Sequence, residues 1–386
     1  MRDQKPAVLV LRNSKENYSM KILLLITGLG VGGAETQVTE LASQFAERGD
    51  TVMLAFMTGQ AEVLPRHPAV TVCSLGMRNS ITGMASGYRA LRHLIKSYQP
   101  DVVHSHMVHA NLLARLVRVS CRMPRLICTA HSNNEGGKVR MLAYRVTDAL
   151  ADLSTNVSDN AVAAFETKGA VPKGRMIAVS NGISTDRFRC DMALRNATRE
   201  QAGLTLETKL ILAVGRLVEV KDYPNLLRAF ALVRENMQDT VLWIAGGGEC
   251  LQELQALSSE LGIAHAVSFL GIRNDTEALY NAADLSVLSS QWEGFGLVVA
   301  EAMACENIVV ATDCGGVREV LGECGYLVPA QDTDRLAEAL RNALALAPDD
   351  ARTLGRKARQ KVLDQYSLRN TVMTWAAIYR PDFRAD

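Results

Sequence analysis

The sequence predicts an α/β protein of two Rossmann-like, doubly wound domains facing each other across a cleft. Three observations predict it. The chain has 386 residues, enough for two domains that each bury a core. It is 48% hydrophobic and 22% charged, a globular balance with no disordered character. Short apolar runs alternate with helix-period segments, and the series stops at a polar stretch, residues 190–208, then starts again. The expected division is a loose extension over 1–19, a first domain over 20–190, a second over 191–365 and a terminal segment over 366–386. The first nineteen residues have mixed charge and no apolar signal-peptide core, and Met20 opens a strand-like run, so Met20 reads as the true start or 1–19 as an extension.

Composition narrows the function classes. No apolar run reaches the ~18 residues of a membrane span. The eight cysteines include no C-x-x-C pair, which argues for reduced thiols in a cytoplasmic protein and against a disulfide or metal framework. The net charge of +1 conceals a split, with residues 1–200 at +9 and 201–386 at −8. Residues 78–145 hold 11 Lys/Arg against Asp101 and Glu135 alone. A basic first half suggests an anionic partner: a membrane surface, a lipid diphosphate or nucleic acid. No aromatic–basic interleaving of the RNA-binding kind is present, so nucleic acid is not expected.

In the first half, residues 21–27 read as a buried strand, followed by Gly28-x-Gly30-x-x-Gly33 and a helix to about Arg48. The glycine pattern fits the dinucleotide fingerprint, yet the next strand, 51–57, ends in Thr58-Gly59 without the ribose-binding acid. A nicotinamide cofactor is therefore not expected. What stays open is a tight strand-to-helix turn, or a loop in which Gly32 and Gly33 let backbone approach a phosphate. Residues 84–98 form a basic amphipathic helix with Arg89, Arg92, His93 and Lys96 off its apolar face. It either packs on the sheet with a solvated face or, with Arg115, Arg118, Arg122 and Arg125, turns to a membrane. His104, His106 and His109 follow a strand with no Cys or carboxylate cluster, so an acceptor-side polar patch or structural histidines are expected there, not a metal. Strand 126–129 leads to His131, at a sheet edge where α/β proteins bind ligands; a ligand contact and a buried structural histidine both fit. Strands 154–157 and 176–179 and the Asn181-Gly182 turn close the half.

The second half restarts with strands at 210–214, 240–245, 267–270, 284–288, 308–312 and 326–328, each followed by a helical segment. Its centre is Glu293-Gly-Phe295-Gly296-Leu297, ending at Glu301 five residues into a helix. A Gly-rich strand-to-helix turn leaves backbone N–H groups free at the positive end of the helix dipole, a seat for phosphate. Two carboxylates bracket that seat, and either could hold sugar or ribose hydroxyls. Arg216 and Lys221 follow the first strand of this half and can hold a diphosphate and neutralise the charge developing on it. Gly246-Gly247-Gly248 permits close approach of a ligand. Leu270 and Ile272 read either as core or as an apolar shelf. Asp332-x-Asp334 precedes an amphipathic helix and reads as an N-cap, not a metal motif.

Glu293-x7-Glu301 with Phe295-Gly296 resembles the signature of the retaining glycosyltransferases of family 4, and the likeness runs from about Met20 to Tyr379. The resemblance implies a glycosyltransferase-B fold, whose terminal helix crosses back to the first domain. It implies Glu293 at the transferred sugar, Glu301 on the ribose, Arg216 and Lys221 on the diphosphate, and backbone of Gly248, Phe295, Gly296 and Leu297 near the donor. His131 would then lie near the sugar, Gly32 and Gly33 in the N-terminal loop, and Leu270 and Ile272 at the base. No metal and no cofactor are implied beyond a nucleotide-sugar co-substrate, expected to be UDP-linked. Residues 26–35 and 128–132 resemble bacterial transferases that build O-antigen or capsule on a lipid diphosphate. That implies a lipid diphosphate-linked saccharide acceptor, an N-acetylhexosamine donor, and a cytoplasmic enzyme held peripherally on the inner face of an anionic membrane. Ser184 stands where the family carries Asp after Asn181-Gly-Ile183, which weakens any role for that Asp. Two rival readings are a UDP-sugar epimerase or hydrolase of the same shape and a non-catalytic module on an anionic surface.

Overall fold

The structure, a computed structural model, describes residues 19–383 except 79, 134 and 206. The expected extension over 1–19 lies outside the described residues save for Ser19. Two wholly parallel sheets form the described chain. The first contains β1 (Lys21–Ile26), β2 (Thr51–Phe56), β3 (Thr71–Ser74), β4 (Val102–His106), β5 (Leu126–Ala130), β6 (Leu153–Asn156) and β7 (Met176–Ala178), in the order 3-2-1-4-5-6-7. The second contains β8 (Lys209–Val214), β9 (Thr240–Ala245), β10 (Val267–Gly271), β11 (Leu285–Leu288), β12 (Ile308–Thr312) and β13 (Tyr326–Val328), in the order 10-9-8-11-12-13.

Parallel strands covered on both faces read as continuous apolar runs. Ile22 to Ile26 on β1 are all fully buried, and β4, β5, β11 and β12 are buried throughout. The order reverses between β1 and β4 in one sheet and between β8 and β11 in the other. Ligands of open α/β sheets bind outside the carboxyl ends of strands at such reversals. The loops at these places are the ones that carry Gly32 and Gly33, His106, Arg216 and Glu293.

The terminal helix Leu368–Ile378 completes the core of the first half. Its Val372 and Trp375, with the adjoining Tyr379, share a buried cluster with Val38, Leu41 and Phe45 of the helix Gly33–Glu47, and the Tyr379 ring stacks on Phe45 at 5.2 Å. The crossing is pinned where Ile183 donates to Tyr366 O (2.7 Å) and accepts from Leu368 N (2.8 Å).

The polar stretch 190–208 is structured in part. It holds the helix Met192–Gln201, capped by Asp191, and its Arg195 and Arg199 grip Asp284 at the foot of β11. Ion pairing and carbonyl contacts anchor this helix, so hydrophobic periodicity does not reveal it. Helices Lys138–Thr147, Asp159–Thr167 and Pro348–Lys361 are likewise absent from the sequence reading. Among the described residues no helix is long and apolar enough to cross a membrane.

Candidate active site

The loop from β11 to the helix Leu297–Ala304 is the centre of the site. Gly296 opens the helix at φ +90°, a conformation that costs a side chain free energy, and no side chain caps it. Among the described residues no carbonyl takes the amides of Leu297 and Val298, so they remain available to an anion at the helix's positive end. Phe295 points the other way. Its side chain is buried in the second core, edge-on to Tyr366 at 5.4 Å, so Phe295 can offer a ligand only its backbone. Phe295→Ala should lower stability by about 3–5 kcal/mol, as truncation of a buried aromatic does, and thermal unfolding would register it.

Two charged side chains meet above the loop. Lys221 pairs with Glu293 Oε1, which also accepts from Ser290 Oγ at 2.8 Å. Both charged side chains are about one-sixth exposed. Lys221 is held by its backbone, where its carbonyl accepts from Ser289 Oγ (2.8 Å), and the neighbouring Val220 carbonyl accepts from Gln291 N (2.8 Å). These bonds join the β8 loop to the β11 loop. Arg216 is exposed and has no carboxylate in ion-pair range among the described residues. Its charge reaches across the cleft to Glu35, whose carboxyl is raised by burial and lowered by its own amide and by Arg216.

Glu301 sits one helical turn further in. Its Oε2 accepts from Tyr280 OH at 3.0 Å, and burial pushes its carboxyl up to about 7, against the lowering effects of that hydrogen bond and of Arg187. Leu270 falls at the register shift between Phe269 and Gly271 on β10, which frees its backbone from the regular ladder, while its side chain packs on the second core. Ile272 is 60% exposed and lies against Gly247. Gly248 packs on the backbone of Leu217, its outer face exposed.

The first half closes over the same loop. Gly294 abuts the carbonyl of His131, and a Cβ there would collide with it. A Cβ on Gly33 would lie 2.9 Å from Leu297. Gly32 is extended, with φ −171°, and is overlaid by the Glu35 carboxylate. Ser158 Oγ donates to Gly294 O (2.7 Å), and Glu319 accepts from the amides of Asp159 (3.1 Å) and Asn160 (2.8 Å). His131 Nε2 lies 3.0 Å from His106 Nδ1, and its amide donates to Glu135. The structure thus gathers Gly32, Gly33, His131, Arg216, Lys221, Glu293, Gly296, Leu297 and Glu301 around the facing edges of the two sheets. Asp332 accepts from Arg335 N at 3.0 Å as a helix cap. Tyr280 and Ser290, which hold the two glutamates, were not singled out from sequence. Ser290 lies three residues before its partner and was within reach; Tyr280 carries no local signal.

Two facing doubly wound halves, with carboxylates, cations and free helix amides at opposed switch points, define a nucleotide-sugar-dependent glycosyltransferase of the GT-B type. Comparison with known proteins gives the family. The model described as Glycosyltransferase Family 4 matches residues 31–187, and that described as Glycosyl transferases group 1 matches 195–361. A D-inositol 3-phosphate glycosyltransferase of Geodermatophilus obscurus is 31% identical over 81% of this chain and 78% of its own. A GDP-mannose-dependent alpha-(1-6)-phosphatidylinositol monomannoside mannosyltransferase of Mycolicibacterium smegmatis is 30% identical over 74% of this chain and 82% of its own. Among solved structures, HepE of Anabaena in complex with UDP and glucose superposes with a TM-score of 0.82 at 20% identity, covering 93% of this chain and 99% of that one. The chain belongs to glycosyltransferase family 4, and it is a hexosyltransferase.

Proposed function

We propose that the protein is a retaining transferase that moves a hexose or N-acetylhexosamine from a UDP-sugar to a lipid diphosphate-linked saccharide in surface polysaccharide synthesis. One observation carries this reading: Lys221 pairs with Glu293 of the loop whose free helix amides, with Arg216, make a seat for a diphosphate. Arg216, Lys221 and the amides of Leu297 and Val298 neutralise the leaving diphosphate. That role requires no metal and no cofactor beyond the nucleotide-sugar. Glu293 holds sugar hydroxyls through the oxygen left free by Lys221 and Ser290. Glu301 holds the ribose through the oxygen that Tyr280 leaves free. The backbone freed at Leu270, with Ile272, receives the base. His131, at the edge of the first half, contacts the transferred sugar or its acceptor. The departing phosphate oxygen takes the acceptor's proton on the same face, which keeps the anomeric configuration. A UDP-bound relative in fold supports the choice of nucleotide.

The acceptor side rests on the outer face of the first half. Val139, Leu142 and Val146 of the helix Lys138–Thr147 are 82%, 62% and 69% exposed, beside exposed Lys138, Arg140 and Arg145. Apolar residues interleaved with cations on a helix surface suit the inner face of an anionic bilayer, from which the head group of a lipid-linked acceptor would face the cytoplasm. The deciding experiment supplies UDP-sugars labelled in the sugar, with and without a lipid diphosphate-linked saccharide. Label in the acceptor, with the donor's anomeric configuration, is the expected product. Label released as free or epimerised sugar, with or without acceptor, would favour a hydrolase or epimerase instead.

A further inference from the structure

The histidine that faces the cleft does not stand alone. His106, at the carboxyl end of β4 and 1% exposed, lies between His131 and His104. Its Nδ1 is 3.0 Å from His131 Nε2, and its Nε2 is buried with no hydrogen-bond partner among the described residues. The His104 ring lies against it, tilted by 41°, with ring centroids 3.9 Å apart. His104 is itself fixed at both nitrogens, by Tyr379 OH (2.7 Å) and Thr129 Oγ1 (2.6 Å), with Trp375 against its ring. His106 therefore has one place to sit and one group to bond.

Burial lowers the pKa of both partners, His131 to about 4 and His106 well below its ordinary range. Each ring is neutral near pH 7 and carries a single N–H. Two arrangements are possible. If His131 donates, the His106 proton sits on Nε2, a buried N–H with nothing to receive it. If His106 donates from Nδ1, only a lone pair is left unpartnered at Nε2. Orphaned buried N–H groups are the rarer and costlier defect. Donation by His106 makes His131 Nε2 the acceptor and puts the His131 proton on Nδ1. That nitrogen makes no hydrogen bond among the described residues, and His131 as a residue is partly exposed.

We infer that His106 is a positioning residue that fixes His131 in the Nδ1–H tautomer, so that His131 presents a hydrogen-bond donor to an oxygen of the bound sugar or acceptor. His106 itself touches no substrate. Through Tyr379 and Trp375, the helix that crosses back from the second half holds this arrangement in place. The inference rests on the reading of His131 as a group at the transferred sugar, and its first test does not depend on that reading.

The first test is nitrogen NMR of the full-length protein labelled with 15N-histidine, with the His131 signals assigned by loss in His131→Asn. A pyrrole-type Nδ1 and a pyridine-type Nε2 on His131 are expected; a protonated Nε2 overturns the inference. The second test compares two variants. His106→Asn keeps an N–H donor near the place of Nδ1, whereas His106→Leu keeps bulk and removes the donor. His106→Leu should lose about tenfold in kcat, with the donor KM little changed and the His131 tautomers mixed, and His106→Asn should restore most of it. Equal kcat in the two variants, both folded, would contradict the positioning role. Full turnover in His131→Ala would overturn its role at the sugar and the activity half of the inference, leaving the tautomer to stand or fall on the spectrum.

Discussion

Lys221→Ala is expected to lower kcat by about two to three orders of magnitude, the loss that follows removal of one preorganised charge at a developing oxyanion. Lys221 is half of a pair, and the argument has two parts. In the free protein its ammonium satisfies Glu293 Oε1, so alanine leaves that carboxylate with Ser290 alone in a site that is about one-sixth exposed. When donor binds, the same ammonium is the fixed cation nearest the loop that seats the diphosphate. In the proposed function, truncation therefore disturbs the carboxylate assigned to the sugar and removes a charge assigned to the leaving group. Arg216 does not replace it, because Arg216 is already assigned to the same diphosphate and forms no ion pair with Glu293 among the described residues. Steady-state rates with a labelled donor measure the effect. Near-normal turnover in folded Lys221→Ala would remove the diphosphate role.

Nucleotide affinity should depend on pH through Glu301. Burial raises this carboxyl to about 7 in the free protein. The ionised carboxylate is the form that accepts hydrogen bonds from ribose hydroxyls, so below about pH 7 binding must first expel a proton. Affinity for UDP should accordingly rise as pH increases through 7 and level off above it, with each unit below costing up to about tenfold. Glu301→Gln carries no titrating group at this position and should bind weakly, without the step that Glu301 contributes. Calorimetric titrations of both proteins between pH 5.5 and 8.5 would check this; a flat profile in the unaltered protein, or the same slope in Glu301→Gln, contradicts it.

Much of the fold was legible because parallel strands buried on both faces leave unbroken apolar runs, as 22–26 and 308–311 do. The glycine turns that end such strands marked the sheet edges. Helices held by other means stayed hidden. Pro348–Lys361 buries Gly355 and Ala358, too small to leave an apolar stripe. In Lys138–Thr147 the buried Met141 and Tyr144 are outnumbered by exposed Val139, Leu142 and Val146, which inverts the usual pattern. In the site, residues that act from strand ends were visible from their place after a strand. Those that act on them were not. Tyr280 reaches Glu301 from another helix, and Glu319 reaches the first half across the cleft; both pairings exist only once the chain has folded. Phe295 stands between two glycines, and that its ring serves the core below is not announced by any local pattern.

A structure with UDP bound is the most direct measurement. The account predicts the diphosphate within hydrogen-bonding distance of Arg216, Lys221 and the amides of Leu297 and Val298, with the ribose hydroxyls on Glu301. A diphosphate bound elsewhere, or a Glu301 that faces no part of the nucleotide, would contradict it.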